Sequence, residues 1–207
     1  SALFVLPFLV GCGTPDPAPT TPATDTVPAA EVQKPVVSKA MTAEEQAALT
    51  PDMIIQNMKD GNARFLANDL TLRDHTSKVR SAAGGQFPKA VVLSCLDSRI
   101  PVEDVFDLGL GDVFVGRVAG NIVNEDLLGS MEFGTKVMGS KVILVLGHKH
   151  CGAVVSAIDK VELGNITAML SKIQPAVAKS QDFAGEKVSS NVAFVDHVAK
   201  NNVLHVQ

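Results

Sequence analysis

Two short segments each bring together several side chains that can bind a metal ion or take part in catalysis. The first is Cys95-Leu-Asp-Ser-Arg99 and the second is Gly147-His-Lys-His-Cys-Gly152. Two cysteine thiolates and one imidazole form a good tetrahedral zinc site with a fourth position left over, and a catalytic zinc needs that position. The residue types therefore favour a zinc site.

Other interpretations of these residues stay open on spacing alone. A buried cysteine is most often a small core residue. His148, which follows an apolar segment, can be a histidine that caps a helix, and two cysteines on neighbouring strands can form a redox pair. Zinc is favoured because Cys, Asp, Arg, His and Cys occur together at two strand ends, with glycine on both sides of the second cluster.

Three short apolar segments predict the strands that position these side chains, at Lys89–Cys95, Asp112–Val118 and Lys141–Gly147. Glu125–Met138 carries apolar residues at helical spacing between the last two. Buried strands separated by helices predict an α/β fold with a mostly parallel central sheet flanked by helices. Ligands bind at the carboxyl ends of such strands, so we expect both segments at one rim of the sheet. In an extended chain, the alternation in Cys95–Arg99 places Cys, Asp and Arg on one side.

Helices are predicted on both sides of this region. Thr42–Glu45 reads as a capping box, and Thr50-Pro51 as the start of a second helix that runs to about Asn68. One face of that helix is predicted to carry Ile54, Met58, Phe65 and Leu66. Residues 71–88 are predicted to be a loop. From about Ala153 to Gln207 we expect helices broken near Gly164 and around Gly185.

The amino-terminal residues resemble a processing signal. Ala2–Gly11 is uncharged and too short to span a bilayer, which takes about 20 residues. Leu9-Val-Gly-Cys12 then resembles a bacterial lipobox, which predicts lipidation at Cys12; the alternative is a chance cysteine. Residues 13–40 contain six prolines and are predicted to be a disordered Pro/Thr-rich tether. We therefore expect a partial signal peptide at 1–12, a domain at 41–207, and a periplasmic lipoprotein that reaches the membrane of the cell envelope only through its lipid anchor.

Composition excludes some function classes. The net charge is −4, and no basic run is interleaved with aromatic residues, so no nucleic-acid partner is predicted. There are three cysteines, an odd number at long spacings, which argues against a disulfide framework.

The segment from Gln86 to Val155 resembles the β-class carbonic anhydrase family, and the resemblance extends over roughly Met41 to Gln207. Several blocks match the signatures of that family in order: Gly61–Phe65, Gln86-Phe-Pro88, Ser94–Arg99, Gly111–Phe114, Arg117–Asn121 and Gly147–Val154. The resemblance implies one Zn²⁺ per chain, held by Cys95, His148 and Cys151. It implies a lyase that reversibly hydrates CO2 to bicarbonate and a proton by attack of zinc-bound hydroxide.

The resemblance also implies roles for other residues. Asp97 and Arg99 would form a catalytic dyad beside the metal. The substrate pocket would be lined by Phe114, Val118 and Gly152. Gln86 would reach it from across the interface of a homodimer or larger homo-oligomer. Val118 stands where many members have Asn. The family continues into a last strand after the final helix, so the domain is expected to be incomplete at its carboxyl end.

Two alternative functions remain at this stage. One is a related hydrolase of CS2 or COS, and the other is a non-catalytic zinc-binding or thiol-redox lipoprotein. Asp97, Arg99 and Gln86 argue against the second, because metal storage needs none of them. The sequence contains no Trp and no Tyr, side chains with which one branch of the family binds regulatory bicarbonate. Their absence favours a form in which Asp97 stays paired to Arg99 and leaves the metal accessible.

Overall fold

A parallel sheet forms the centre of the computed structural model, which describes residues 35–207. Its strands are β1 (Ala90–Ser94), β2 (Val113–Arg117) and β3 (Val142–Leu146), in the order β2-β1-β3. β1 is parallel to both neighbours, and all five of its residues are buried. Its apolar residues do not alternate with polar ones because helices cover both faces. The predicted α/β fold and its three strands are confirmed.

The first two helices are α1 (Ala43–Ala48) and α2 (Pro51–Leu66), and both predicted caps are present. Ile54 and Met58 of α2 are buried in a core cluster with Ala90 and Val92. The prediction for Leu66 is wrong, because its side chain is 77% exposed. At 3.6 residues per turn, Leu66 lies about 120° around the helix from Ile54, away from the buried stripe.

Helix α3 (His75–Ala82) occupies part of the segment 71–88, so the prediction of a loop there is wrong. The side chain of Asp74 caps the helix by accepting the backbone N–H of Ser77. Lys78 anchors α3 to the domain: it is buried, and its Nζ lies 3.2 Å from a carboxylate oxygen of Asp112. Because α3 is fixed by a buried lysine and not by apolar residues at helical spacing, the hydrophobic pattern of the sequence did not predict it.

The helices between the strands are α4 (Val102–Val105) and α5 (Glu125–Glu132), and a 3₁₀ turn spans Ala119–Asn121. α5 continues as a π-helix over Phe133–Val137, so the helix predicted for Glu125–Met138 is confirmed with a change of winding. Met131 packs on Val91 and Leu93, on the face of β1 opposite to α2.

The carboxyl-terminal helices are α6 (Gly152–Ile158), α7 (Gly164–Leu170), α8 (Gln174–Lys179) and α9 (Val192–Val206), with a 3₁₀ turn at Ser180–Asp182. The predicted breaks are confirmed at the start of α7 and between α8 and α9. These helices share a buried cluster with Cys95 and Cys151. Within residues 35–207, no helix is both long and apolar enough to cross a membrane.

Contacts of the domain begin before Met41, since Val37 forms a parallel bridge with Arg73. Cys12, the predicted signal segment and most of the predicted tether lie outside the described residues.

Candidate metal centre

The ends of β1 and β3 bring three potential metal ligands together. Cys95 directly follows β1, His148 follows β3 by one residue, and Cys151 is the residue before α6. One ligand atom from each residue lies within 4.8 Å of the other two. The two sulfur atoms are 3.8 Å apart, and both thiols are buried and free. This is the set predicted from the sequence, and the fold gathers it at one rim of the sheet.

The imidazole of His148 is oriented for coordination through Nε2. Its Nδ1 lies 2.8 Å from the carbonyl oxygen of Lys149, and a carbonyl can only accept, so Nδ1 carries the proton. Nε2 is therefore left with its lone pair. It is buried and has no hydrogen-bond partner in the described part of the chain. An unpartnered buried polar atom costs about 1–3 kcal/mol, which a bound metal would offset.

The pKa values of the two thiols are shifted in opposite directions. A hydrogen bond from the thiol of Cys151 lowers the pKa of Cys95 to about 4 against the opposing effect of burial. The backbone N–H of Gly120 also donates to Cys95 Sγ, at 3.3 Å. The same pairing, together with burial, raises the pKa of Cys151 well above its usual range. Without a metal, the pair consists of a thiolate at Cys95 and a thiol at Cys151, and the donor set fits zinc.

Asp97 and Arg99 form an ion pair beside these ligands. The carboxylate accepts from Arg99 through the backbone N–H at 3.0 Å, Nε at 2.9 Å and Nη2 at 2.7 Å. These bonds hold the pKa of Asp97 well below its usual range. One carboxylate oxygen lies 3.9 Å from Nε2 of His148. The carboxylate therefore stays ionised next to the metal ligands.

The backbone after β1 differs from the extended chain expected from the alternation. It bends into a turn in which the N–H of Ile100 lies 3.2 Å from the carbonyl oxygen of Asp97. The prediction that Cys95, Asp97 and Arg99 share one side of an extended segment is therefore wrong. The side chain of Arg99 instead folds back on Asp97, because the guanidinium forms a bidentate pair with the carboxylate.

Arg117 supports this turn, a role that the sequence analysis missed. Its Nε donates to the carbonyl oxygen of Cys95 at 3.0 Å, and its Nη2 donates to that of Asp97. The residue lies at the end of β2, opposite Ser94 in the register. Its signal was its place in the Arg117–Asn121 block, but that block alone does not indicate which carbonyl groups it binds.

The residues predicted to contact substrate occupy different places. Phe114 lines an apolar groove of about 660 Å³ between the sheet and α5, together with Val91, Leu93, Leu127 and Phe133. Val118 packs against the clusters on both sides, one with Cys95 and one with Val91. Gly152 is exposed at the start of α6, and a Cβ there would meet no atom within 4 Å.

Gln86 is not brought to the metal centre of its own chain. It is exposed in the segment that leads into β1, whereas Cys95 follows the other end of that strand. A five-residue strand spans about 17 Å at roughly 3.3 Å per residue, so the two residues lie at opposite ends of the sheet.

The family model and similar curated sequences agree on one family. Residues 90–207 match the family model described as carbonic anhydrase. The carbonic anhydrase of Mycolicibacterium smegmatis is 37% identical over 150 residues, which cover 66% of this chain and 73% of that protein. Carbonic anhydrase 2 of Mycobacterium tuberculosis is 37% identical over 126 residues, which cover 58% of this chain and 61% of that protein.

Solved structures share the fold. A β-carbonic anhydrase of Coccomyxa, solved with acetazolamide, aligns with a TM-score of 0.53 and 25% identity over 75% of this chain and 68% of that one. A second match comes from the crystal structures of two tetrameric β-carbonic anhydrases of Sordaria macrospora. The matched chain aligns with a TM-score of 0.54 and 22% identity, over 72% of this chain and 75% of its own length.

Proposed function

The chain belongs to the β-class carbonic anhydrase family, and from this premise we propose that it reversibly hydrates CO2 to bicarbonate and a proton at one zinc ion held by Cys95, His148 and Cys151. The observation that carries the proposal is the meeting of two thiols and an unpartnered imidazole nitrogen within 4.8 Å at the carboxyl rim of the sheet. Three protein ligands of these types are the pattern of a catalytic rather than a structural zinc site.

Bound zinc supplies a Lewis acid that lowers the pKa of a water molecule, so that a nucleophile for CO2 forms near neutral pH. The side chains prepare this site in advance. Cys95 and Cys151 supply negative charge for the cation, while the proton on Nδ1 of His148 fixes the ring with Nε2 toward the thiols.

Asp97 orients the reacting water. Arg99 keeps its carboxylate ionised, so Asp97 can accept a hydrogen bond but cannot donate one. Arg99 also holds the carboxylate outside the three-residue ligand cluster, which leaves a coordination position for water. This is the accessible form that the sequence favoured. Arg117 keeps the turn in place by binding the carbonyl groups on both sides of Leu96.

The CO2 pocket is proposed to form between two copies of the chain. Phe114 and Val118 supply its apolar wall, and Gly152 leaves open space beside Cys151. The apolar groove is flanked by exposed Leu128, Phe133 and Val137 on the α5 side. A second copy in a homodimer would cover these side chains and bring its own Gln86 to the metal centre. The tetrameric relatives from Sordaria macrospora support a homo-oligomer.

We further propose lipidation at Cys12 and a periplasmic location, on the basis of the lipobox-like Leu9–Cys12 segment. Metabolic labelling of expressing bacteria with an alkyne-tagged palmitate is expected to mark the chain. The Cys12→Ser variant is expected to remain unlabelled. Equal labelling of the two proteins would overturn this location.

Metal content and CO2 hydration of the purified chain test the proposed activity together. We expect about one zinc per chain and rapid hydration in a stopped-flow assay. His148→Ala is expected to lose both. The matched control is His205→Ala, because His205 is exposed in the last turn of α9. A parent that binds zinc but does not hydrate CO2 would overturn the activity.

A further inference from the structure

Asn202 is a buried polar residue on the apolar side of α9. Its residue exposure is 0%, as is that of Val198 one turn earlier, and Val195 continues the same stripe. Nδ2 of Asn202 donates a hydrogen bond of 2.8 Å to the carbonyl oxygen of Gly120, which is 82 residues away in the sequence. The last helix is thus linked to the turn after β2 by a directed hydrogen bond.

Gly120 is the residue whose backbone N–H donates to Cys95 Sγ, at 3.3 Å. Its φ of +72° lies in the left-handed region that favours glycine. A side chain would also crowd its neighbours, because a Cβ would lie 2.6 Å from Cδ1 of Ile173 and 3.2 Å from Cβ of Ala153. Glycine rotates freely in an unfolded chain, so the direction of its N–H depends on contacts that fix both adjoining peptide groups.

We propose that Asn202 is a positioning residue of the metal centre. By holding the carbonyl of Gly120, it fixes the backbone torsions of that residue and keeps its N–H directed at Cys95 Sγ. The N–H of Gly120 then stabilises the thiolate that ligates the metal, and Asn202 acts on the metal through it. This inference rests on the zinc site proposed above.

The buried face of α9 shows why an amide is needed at this position. Oδ1 of Asn202 has no hydrogen-bond partner among residues 35–207, so the side chain carries a desolvated acceptor without compensation. A leucine, whose side chain has the same branched arrangement of heavy atoms, would lie among Val195 and Val198 without that penalty. What leucine lacks is the donor that reaches Gly120.

The test compares Asn202→Leu with Val198→Ala in the full chain. Val198→Ala opens a cavity on the same face of α9 and keeps the amide of Asn202, so it reports the effect of loosened packing. Three quantities are measured for each protein. They are zinc affinity by chelator competition, the thiolate-to-metal charge-transfer band of the cobalt-substituted protein, and the urea midpoint of unfolding.

We expect Asn202→Leu to bind zinc about tenfold to a hundredfold more weakly and to shift the cobalt band, because outer contacts of metal ligands have effects of this size. Val198→Ala is expected to lower the unfolding midpoint while keeping the affinity and the band of the parent. If Asn202→Leu does not fold, Asn202→Ala is measured in its place with the same expectations.

Parental affinity and spectrum in the Asn202 variant would overturn the inference. An equal change in Val198→Ala would overturn it as well, since packing alone would then explain the effect. A parent chain that binds no zinc would overturn both this inference and the proposed function. If the parent binds zinc, the comparison of the variants tests the role of Asn202 alone.

Discussion

Two clusters of buried polar groups stand at opposite ends of the sheet and differ in how completely they are satisfied. At the end where β2 begins, the carboxylate of Asp107 is fully buried. One oxygen accepts from the backbone N–H of Thr71 at 3.0 Å and pairs with Arg73 at 2.8 Å. The other accepts from Arg64 and from the hydroxyl of Thr71 at 2.7 Å. At the carboxyl end, His148 Nε2 has no partner among the described residues and two thiols share their protons.

This difference indicates that the Asp107 cluster stabilises the fold, whereas the metal centre is arranged to bind a ligand. Burial by itself raises the pKa of Asp107, but hydrogen bonds from Thr71 and Arg64 outweigh it and hold that pKa well below its usual range. The Asp107 cluster therefore needs nothing further. The metal centre gains its missing interactions only when a cation binds.

The largest expected effect comes from removing a ligand. Cys151→Ser is expected to abolish zinc binding and to lower CO2 hydration by about 1000-fold or more, because the activated water is lost. The metal-free variant is expected to unfold at nearly the same urea concentration as the metal-free parent. A variant that keeps its zinc and its activity would contradict the ligand assignment.

The corresponding change in the other cluster is Asp107→Asn. It is expected to lower the free energy of unfolding by about 3 kcal/mol, because it leaves Arg73, whose side chain is only 12% exposed, without its counter-charge. Urea denaturation measures this loss, and zinc binding per folded chain is expected to stay at the parental level. A similar loss of zinc affinity would show that the two clusters are not separate.

The Asp107 cluster also sets a direction for acid sensitivity. The pKa of Asp107 in the folded protein lies below the unfolded value of about 3.9. Its stabilisation is therefore fully present above that value and is lost as the pH falls below about 4. Asp107→Asn is expected to lack this component, so the two stabilities converge in acid. A constant difference between them down to low pH would contradict the ion pairing.

Asp97→Asn tests the exposed edge of the metal centre. We expect about a hundredfold loss in kcat/KM, because the amide cannot replace the ionised acceptor. The urea midpoint of unfolding is expected to stay close to that of the parent, since the paired Arg99 is largely exposed. The control Asp182→Asn removes an exposed carboxylate that pairs with His197 and is expected to keep full activity. Equal losses in the two variants would exclude a specific role for Asp97.

The smallest effect concerns protons released on zinc binding. Since Cys95 is already a thiolate and Cys151 a thiol at neutral pH, binding displaces one thiol proton. The apparent zinc affinity is therefore expected to rise about tenfold per pH unit between about pH 7 and pH 8. Two thiols with the ordinary pKa of about 8.5 would give a rise closer to a hundredfold. Chelator competition at several pH values distinguishes the two slopes.

Local patterns were enough to predict the frame of the site. Three apolar runs predicted the sheet, and the two motifs that follow β1 and β3 supplied its three ligands, because ligand type and strand end are both local properties. Helix α3 was missed because its buried anchor is Lys78 rather than an apolar stripe. The turn at Asp97 was missed because it depends on Arg117, which approaches from another strand.

Contacts between distant residues account for most of what could not be predicted. Asp107 binds Arg64 across 43 residues, and Asn202 binds Gly120 across 82. Neither partner can be identified from the residues around it. A signal for Asn202 was nevertheless present, since a lone amide continues the stripe of Val195 and Val198 on α9.

X-ray absorption at the zinc edge of the purified chain tests the central claim most directly, because it reports the ligand atoms themselves. The metal centre predicts two sulfur ligands at about 2.3 Å and one imidazole nitrogen at about 2.0–2.1 Å, with a further light atom. The Cys151→Ser variant serves as the reference for a lost sulfur. A zinc ion surrounded only by nitrogen and oxygen in the parent chain would contradict the assignment of Cys95 and Cys151.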